Sequence, residues 1–204
     1  MKINKKKFIY LISPNKIVNS FYNNLKLVLR TKKVSFFQLR LKNYSLKKKI
    51  IIGKKIKNIC KKNKVKFIIN DDPFLTLKLD ADGCHLGQKD MNINIAKKIL
   101  GKKIIGITCH NSINLAKKAI KAKADYIAFG AFNRSKTKKT KYVASVKILN
   151  KVKKFTKTPT VAIGGINTLN YKNLLLNNAN FLAISGYIWK NKKYKPLQAI
   201  ERLK

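Results

Sequence analysis

The sequence predicts a (β/α)₈ barrel formed by a single domain over residues 1–204. Eight short β-rich runs alternate with amphipathic stretches that carry lysine on one face, which is typical of βαβ units around a parallel sheet. Eight such units in 204 residues favour a closed barrel over an open sheet, because these barrels need roughly 200 residues or more. Polar, charged and glycine residues follow most of the runs, and no G-x-G-x-x-G pattern indicates a dinucleotide site.

The predicted strands are rich in β-branched and aromatic residues. They cover residues 8–12, 34–40, 65–70, 82–86, 104–108, 126–130, 160–163 and 181–185. The clearest predicted helices cover residues 17–29, 46–60, 114–121 and 143–155. The stretch after Asn70 has room for only a very short helix.

Lysine dominates the charge of the chain. The formal net charge is +41, yet only four basic residues are arginine, and the lysines are spread over the whole length. Proteins that read specific bases favour arginine, because its planar guanidinium donates two parallel hydrogen bonds. Lys, Ile and Asn share AT-rich codons, so we attribute the charge to a biased genome. Nucleic-acid binding stays a remote alternative, and any such binding is expected to be non-specific and salt-sensitive.

The chain shows no sign of export or membrane insertion. No apolar run is as long as a membrane span, and the apolar stretch after the basic start is too short for a signal peptide. We therefore expect a cytoplasmic protein without a membrane partner. Cys60, Cys84 and Cys109 form no C-x-x-C pair, so we expect reduced, structural thiols.

Carboxylates are scarce and clustered. The chain has seven, and five of them lie between residues 71 and 90. Solubility does not require such clustering, so the cluster indicates a functional site. Its members are Asp71, Asp72, Asp80, Asp82 and Asp90.

Catalytic groups of these barrels lie at the carboxyl ends of the strands. Gln38, Arg40 and Lys42 alternate there, and on an extended segment they share one face. Two cations and an amide directed into the barrel mouth suit a diphosphate. The alternative is an ordinary solvated strand end in a lysine-rich protein.

Asp71 and Asp90 follow neighbouring predicted strands. Two carboxylates beside a phosphate-binding mouth suit Mg²⁺, which takes oxygen ligands from one or two carboxylates and from substrate phosphates. Asp72 precedes Pro73 and is the better candidate for a helix N-cap.

Further anion-binding groups follow the last three strands. Gly164-Gly165 and Ser185-Gly186 are placed to form a phosphate site from backbone N–H groups. The loop 135–138, Ser-Lys-Thr-Lys, is either a lid over an anion or an exposed basic loop. His85 is a packed barrel residue or a catalytic one, and His110 is an acid–base group or a loop residue.

Two phosphate sites and a metal pair indicate two phosphorylated substrates. No nucleophile–base pair is apparent in the sequence, which disfavours covalent catalysis. The residues therefore predict metal-assisted departure of diphosphate, with attack by a second bound partner.

Eight segments of the chain resemble the thiamine phosphate synthase family. LGQKD at 86–90 and IND at 69–71 are the most specific parts of the match. In order, the segments are FQLRLK (37–42), FIINDDP (67–73), ADGCHLGQKDM (81–91), IIGITCHN (104–111), ADYIAFGAF (124–132), SKTK (135–138), VAIGGI (161–166) and FLAISG (181–186).

The resemblance implies that hydroxymethylpyrimidine diphosphate loses diphosphate with the help of Mg²⁺. The thiazole nitrogen of hydroxyethylthiazole phosphate then attacks the pyrimidine methylene cation, giving thiamine phosphate. It implies that Asp71 and Asp90 carry the metal and that Arg40, Lys42 and Lys138 act in catalysis. The implied pyrimidine-diphosphate residues are Gln38, Arg40, Lys42, Asn70, Thr108 and Lys138; the implied thiazole-phosphate residues are Ser135, Thr137, Gly165, Ile184 and Ser185; and Leu39, Leu41 and Lys136 complete the substrate-binding set.

The chain departs from the family pattern at a few positions. Leu41 stands where many members have an acid, Thr108 replaces a common serine, and Arg134-Ser135 replaces a proline–threonine pair. A thiazole tautomerase of the same fold family is the alternative enzyme. Such members tend to lose the Asn-Asp pair, which this chain keeps at Asn70-Asp71. A homo-oligomer is compatible with the sequence.

Overall fold

A computed structural model describes residues 7–133 and 143–204. Eight parallel strands form a closed barrel in which the strands follow chain order and β8 pairs with β1. The predicted fold class is therefore confirmed. The strands are β1 (Ile9–Ile12), β2 (Val34–Leu39), β3 (Lys66–Asn70), β4 (Gly83–Leu86), β5 (Ile104–His110), β6 (Tyr126–Gly130), β7 (Thr160–Ile163) and β8 (Phe181–Ile184).

Helices follow the strands and cover the outside of the barrel. They are α1 (Ser20–Arg30), α2 (Leu46–Lys62), α3 (Pro73–Lys78), α4 (Ile93–Leu100), α5 (Ile113–Lys121), α6 (Lys147–Lys153), α7 (Tyr171–Leu176), α8 (Gly186–Trp189) and α9 (Pro196–Glu201). Within 7–133 and 143–204, no helix is long and apolar enough to cross a membrane.

The boundaries differ from the predicted ones where backbone groups are used elsewhere. The predicted helix 143–155 is shorter in the structure, because the amide of Ala144 donates to the carbonyl of Ala131 at 2.8 Å and ties this segment to β6. Strand β5 continues two residues beyond its predicted end, to His110, and its register with β6 shifts between Thr108 and His110. Strand β2 ends at Leu39, so Arg40 and Lys42 lie in the loop that follows it.

Apolar side chains form two layers. One fills the inside of the barrel with residues such as Tyr10, Phe36, Tyr126 and Phe181. The larger layer lies between the strands and the helices. Successive residues of a strand face opposite sides, so every second strand residue points into the barrel. This alternation decides which side chains at the strand ends face the mouth.

Aspartates secure the amino ends of several strands. Asp82 accepts a hydrogen bond from the amide of Phe67 at 2.9 Å, and Asp125 accepts one from the amide of Ile105 at 2.8 Å. Asp80 holds Lys57 and Lys103 at 2.8 and 2.9 Å. These groups lie at the end of the barrel opposite the mouth, where such contacts serve stability.

Candidate active site

The mouth of the barrel is lined first by Gln38 and Asn70, at the ends of β2 and β3. The side chain of Gln38 is buried, and its Nε2 donates to Asn70 Oδ1 at 3.1 Å. Because each amide holds the other, both are oriented before any substrate binds. The predicted meeting of these two residues at one rim therefore agrees with the geometry.

Arg40 is anchored to the loop after β1, which is not among the predicted site residues. The Arg40 amide donates to Ser13 Oγ at 2.9 Å, and its guanidinium donates to Asn15 Oδ1 at 3.5 Å. Ser185 Oγ donates to the carbonyl of Ser13 at 3.2 Å, so loops after β1, β2 and β8 are joined. The sequence feature that could have predicted this loop as part of the site is the polar segment Ser13-Pro14-Asn15 directly after a buried strand.

Asp71 is the most constrained acid of the mouth. Its backbone has a positive φ of 67°, and its amide donates to the carbonyl of His85 at 2.8 Å. Lys42 Nζ lies 3.7 Å from its carboxylate. Burial raises the pKa of Asp71 to about 6, and so do the hydrogen bond that protonated Asp71 donates to Asp90 and the charge of Asp90; Lys42 and Arg40 act to lower it. Positive φ outside glycine is uncommon and often marks functional positions.

Asp90 meets Asp71 across the end of β4. One oxygen of Asp90 accepts the amide of Gly87 at 2.7 Å, which holds the carboxylate in a tight turn. Neighbouring Asp72 does not join the pair, because its Oδ1 accepts the amide of Leu75 at 2.9 Å and caps α3, with Pro73 at the first helical position. The capping role predicted for Asp72 is therefore correct.

The Asp71–Asp90 pair fits a divalent cation held partly by substrate. Two carboxyl groups in contact, in a half-buried site, favour proton sharing or a bound cation. Across residues 7–133 and 143–204 there is no group of three or more His, Cys, Asp or Glu that forms a metal site. Mg²⁺ suits this donor set, because it commonly binds one or two carboxylates and takes its other ligands from phosphates and water.

A cavity of about 510 Å³ opens beside this pair, between the ends of β2 and β3 and helix α3. Leu39 and Leu41 form part of its apolar wall, and Lys42 and Lys49 place positive charge over it. Its other lining residues are Ile69, Asn70, Asp71, Asp72, Pro73, Phe74, Leu75 and Met91.

His85 belongs to the packed interior of the barrel. Its Nδ1 lies 3.0 Å from the hydroxyl of Tyr126, and its Nε2 lies 2.8 Å from Thr108 Oγ1. Burial lowers the pKa of His85 to about 4, with Asp90 acting weakly in the opposite direction, so the ring is neutral at pH 7. Gln88 Nε2 donates to the carbonyl of Thr108, which fixes this residue from the other side.

The ends of β7 and β8 contribute glycines and a serine. Gly164 and Gly165 have φ of 104° and 61°, and a Cβ at Gly164 would lie 2.4 Å from the Cβ of Ala131. Asn170 Nδ2 donates to the carbonyl of Gly165 at 2.9 Å, so this turn is held in place. The backbone of the turn and Ser185 lie where the sequence predicts the second phosphate site.

Three residues of the predicted substrate-binding set have side chains that face away from the barrel interior. Leu39, Leu41 and Ile184 lie in the apolar layer between strands and helices, because they alternate with inward-facing neighbours. For Ile184 only main-chain contact with a mouth-bound substrate is possible, while Leu39 and Leu41 line the adjoining cavity. The predicted residues Ser135, Lys136, Thr137 and Lys138 lie outside the described residues.

The acid cluster seen in the sequence divides between the two ends of the barrel. Asp71 and Asp90 lie at the mouth, whereas Asp80 and Asp82 bind lysines at the opposite end. The five acids that are close in sequence therefore do not form one site, because a short helix separates them. The three cysteines are buried and unpaired, and burial raises their pKa, as expected for structural thiols.

Comparisons with known proteins agree with this geometry. A family model described as thiamine monophosphate synthase matches residues 9–188. The thiamine-phosphate synthase of Pelagibacter ubique (strain HTCC1062) is 68% identical over the full length of both chains. The enzyme of that name from Picrophilus torridus is 36% identical over 89% of this chain and 88% of its own. A solved thiamine phosphate pyrophosphorylase from Pyrococcus furiosus superposes with a TM-score of 0.86 at 28% identity, covering 98% and 94% of the two chains.

Fold and site together define a barrel enzyme with a polar, partly acidic mouth suited to phosphorylated small molecules. The match over most of the chain makes the assignment more specific: the chain belongs to the thiamine-phosphate synthase family. It is accordingly a transferase of thiamine biosynthesis. A 3-hexulose-6-phosphate synthase shares the fold at 13% identity and a TM-score of 0.65, which indicates common architecture alone.

Proposed function

We propose that the chain joins hydroxymethylpyrimidine diphosphate to hydroxyethylthiazole phosphate, releasing diphosphate and forming thiamine phosphate with the help of Mg²⁺. The main support is the contact between the Asp71 and Asp90 carboxyl groups beside Lys42 and Arg40 at the mouth. Opposite charges gathered this closely suit a diphosphate and its cation. Family membership supports the same two substrates.

The described residues divide the work between binding and charge stabilisation. Gln38 and Asn70 form the preoriented amide pair that holds the pyrimidine side of the substrate. Arg40 and Lys42 face the leaving diphosphate as its charge develops, and electrostatic stabilisation of this kind lowers the barrier. Bound to Asp71 and Asp90, Mg²⁺ would neutralise charge on the diphosphate.

The second substrate is proposed to bind at the ends of β7 and β8. Gly165 and Ser185 offer main-chain and hydroxyl donors to the thiazole phosphate. Residues Ser135, Lys136, Thr137 and Lys138 are assigned from the family pattern to the substrate phosphates. With both substrates held in line, the thiazole nitrogen attacks the pyrimidine methylene carbon without a protein nucleophile.

A coupling assay tests the proposal directly. The purified protein is mixed with both phosphorylated substrates and Mg²⁺, and thiamine phosphate is measured by chromatography. We expect product to form, EDTA to abolish its formation, and added Mg²⁺ to restore it. Product formation that persists in EDTA would contradict the metal assignment, and no product at all under Mg²⁺ would contradict the function.

The same assay separates this function from a thiazole tautomerase. A tautomerase needs neither diphosphate nor metal and would depend on His110 or His85. His85 is half-buried and both of its ring nitrogens lie against hydroxyl groups, which disfavours it as the proton-transfer group.

A further inference from the structure

A row of four side chains inside the barrel connects its centre with the mouth. The hydroxyls of Tyr10 and Tyr126 are 2.8 Å apart, and the Tyr126 hydroxyl lies 3.0 Å from His85 Nδ1. His85 Nε2 lies 2.8 Å from the hydroxyl of Thr108, which is the row's end at the mouth. The row therefore links Thr108 to the buried hydroxyls of Tyr126 and Tyr10.

Close packing holds the inner side chains of this row, Tyr126 and Tyr10, in one arrangement. Tyr126 is fully buried and its ring stacks on His85, with centroids 5.6 Å apart and planes 15° apart. Gly106 on the neighbouring strand makes room for it, since a Cβ there would lie 1.9 Å from Tyr126 Cζ. Tyr10 is enclosed by Phe36 and Tyr126, at centroid distances of 5.3 and 5.7 Å.

Counting donors shows the direction of the hydrogen bonds. Buried hydroxyls keep their protons here, because burial raises the pKa of both Tyr10 and Tyr126. Among the described residues the hydroxyl of Tyr10 has Tyr126 as its one hydrogen-bond partner. If His85 Nδ1 donated to Tyr126, the Tyr126 proton would turn to Tyr10, and the Tyr10 proton would have no acceptor. An unsatisfied buried donor is costly, so the opposite direction is favoured.

In the favoured direction Tyr10 donates to Tyr126, Tyr126 donates to His85 Nδ1, and His85 Nε2–H donates to Thr108. Thr108 then has its own proton free for the mouth. If the imidazole carried a second proton, Nε2 would still donate to Thr108, and the Thr108 hydroxyl would still have its own proton free for the mouth.

We propose that Tyr126 and His85 are positioning residues that make the Thr108 hydroxyl a hydrogen-bond donor to a ring nitrogen of the pyrimidine substrate. The inference rests on the proposed function, which places the pyrimidine at this part of the mouth. A pyrimidine ring nitrogen offers a lone pair and no proton, so it binds a donor and rejects an acceptor. The row thus selects a ring acceptor.

Two matched variants test this role. Tyr126→Phe and Tyr10→Phe each remove one hydroxyl from the same buried row. In Tyr126→Phe the imidazole loses the partner that sets its tautomer, and we expect the KM for the pyrimidine diphosphate to rise by about 3- to 10-fold, the worth of one hydrogen bond. In Tyr10→Phe the Tyr126 proton still has His85 as its acceptor, so KM should change by less than about 2-fold. For both, kcat should stay within about 2-fold, as for uniform binding.

A double-mutant cycle with Thr108→Val completes the test. Thr108→Val should raise KM by about 10-fold, and adding Tyr126→Phe should raise it no further, because the donor is already gone. Independent, additive losses would overturn the proposal. So would equal effects of the two tyrosine variants, or a Tyr126→Phe change confined to kcat and melting temperature.

Substrate analogues give an answer that needs no buried substitution. The probes are two pyridine analogues of the pyrimidine diphosphate, each with one ring nitrogen replaced by CH. The analogue that lacks the nitrogen bound by Thr108 should bind the wild-type protein about 10-fold more weakly than the parent. Its affinity should not fall further on Thr108→Val. If neither analogue depends on Thr108, the inference fails. Wild-type protein that makes no thiamine phosphate marks failure of the proposed function instead.

Discussion

Aspartate serves opposite purposes at the two ends of this barrel. At the amino end, Asp82 and Asp125 accept hydrogen bonds from strand amides, and Asp80 binds two lysines at under 3 Å. At the carboxyl end, Asp71 contacts another carboxyl group and has Lys42 only at 3.7 Å. One end pairs its charges closely within the fold, and the other pairs them only loosely.

The ionisation of the two groups shows the same contrast. Hydrogen bonds and charge from Lys57 and Lys103 lower the pKa of Asp80 to about 2, whereas burial and Asp90 raise that of Asp71 to about 6. A raised pKa means that burial and the neighbouring carboxyl group disfavour the ionised form. An acid whose pKa is raised by burial and a neighbouring carboxyl group is a candidate functional residue.

The largest effect is expected when an acid at the mouth is removed and the result is compared with removal of an acid at the amino end. Asp71→Ala and Asp90→Ala should each lower kcat on the order of 10²–10³-fold, because charge stabilisation needed mainly in the transition state is lost. Asp82→Ala, the matched control, should lower the melting temperature and leave kcat of the folded enzyme unchanged. Steady-state kinetics and thermal melts measure both. Equal kcat values for Asp71→Ala and Asp82→Ala would contradict a functional difference between the two ends of the barrel.

A second test follows stability against pH in EDTA. His85 has its folded pKa lowered from 6.5 to about 4, so its contribution is present above pH 6.5 and is lost as pH falls through 4. Asp71 has its folded pKa raised from 3.8 to about 6, so its contribution is present below pH 3.8 and is lost as pH rises through 6. The two trends oppose each other between these values.

Asp71→Asn removes one of the two opposing trends. Stability of the variant should therefore rise more steeply than that of the wild type between pH 4 and 6, by up to about 2 kcal/mol after allowance for solvent screening. Asp90→Asn should act in the same direction, because it removes a cause of the Asp71 shift. Denaturant unfolding at several pH values measures this, and parallel curves for variant and wild type would contradict it.

A smaller effect on stability is expected at Asp82, where two variants distinguish its hydrogen bond to the backbone from its ion pair. Asp82→Asn weakens both the hydrogen bond to the Phe67 amide and the pair with Lys66, and should cost about 1–3 kcal/mol in the free energy of unfolding. Lys66→Met removes only the exposed pair and should cost less than about 1 kcal/mol. Equal losses would show that the ion pair, rather than the backbone contact, matters.

The smallest effect is expected at Asp80. Its carboxylate is exposed, so its pairs with Lys57 and Lys103 are screened by solvent. Asp80→Asn should lower the melting temperature slightly at low salt, and the difference should disappear at high salt. A difference that persists at high salt would indicate a role for Asp80 beyond its charge.

Some features followed from local sequence alone. The eight apolar runs and their amphipathic partners predicted the barrel, because the period of the pattern reports secondary structure directly. Asp72 before Pro73 predicted its cap for the same reason: capping is an interaction between near neighbours in the chain. Gln38, Asn70, Asp71 and Asp90 were placed at one rim because strand order and direction determine where strand ends meet.

Only the tertiary structure decided which neighbours those residues acquired. The contact of Ser13 with Arg40 and Ser185 exists because the barrel closes between β1 and β8. His85 became a link between Tyr126 and Thr108 because β5 and β6 bring those residues to its ring. Leu39 and Ile184 face away from the barrel interior because of strand parity. The sequence determined which groups are available, and closure of the sheet decided which of them meet, since side chains distant in the chain come into contact only when all eight strands are paired.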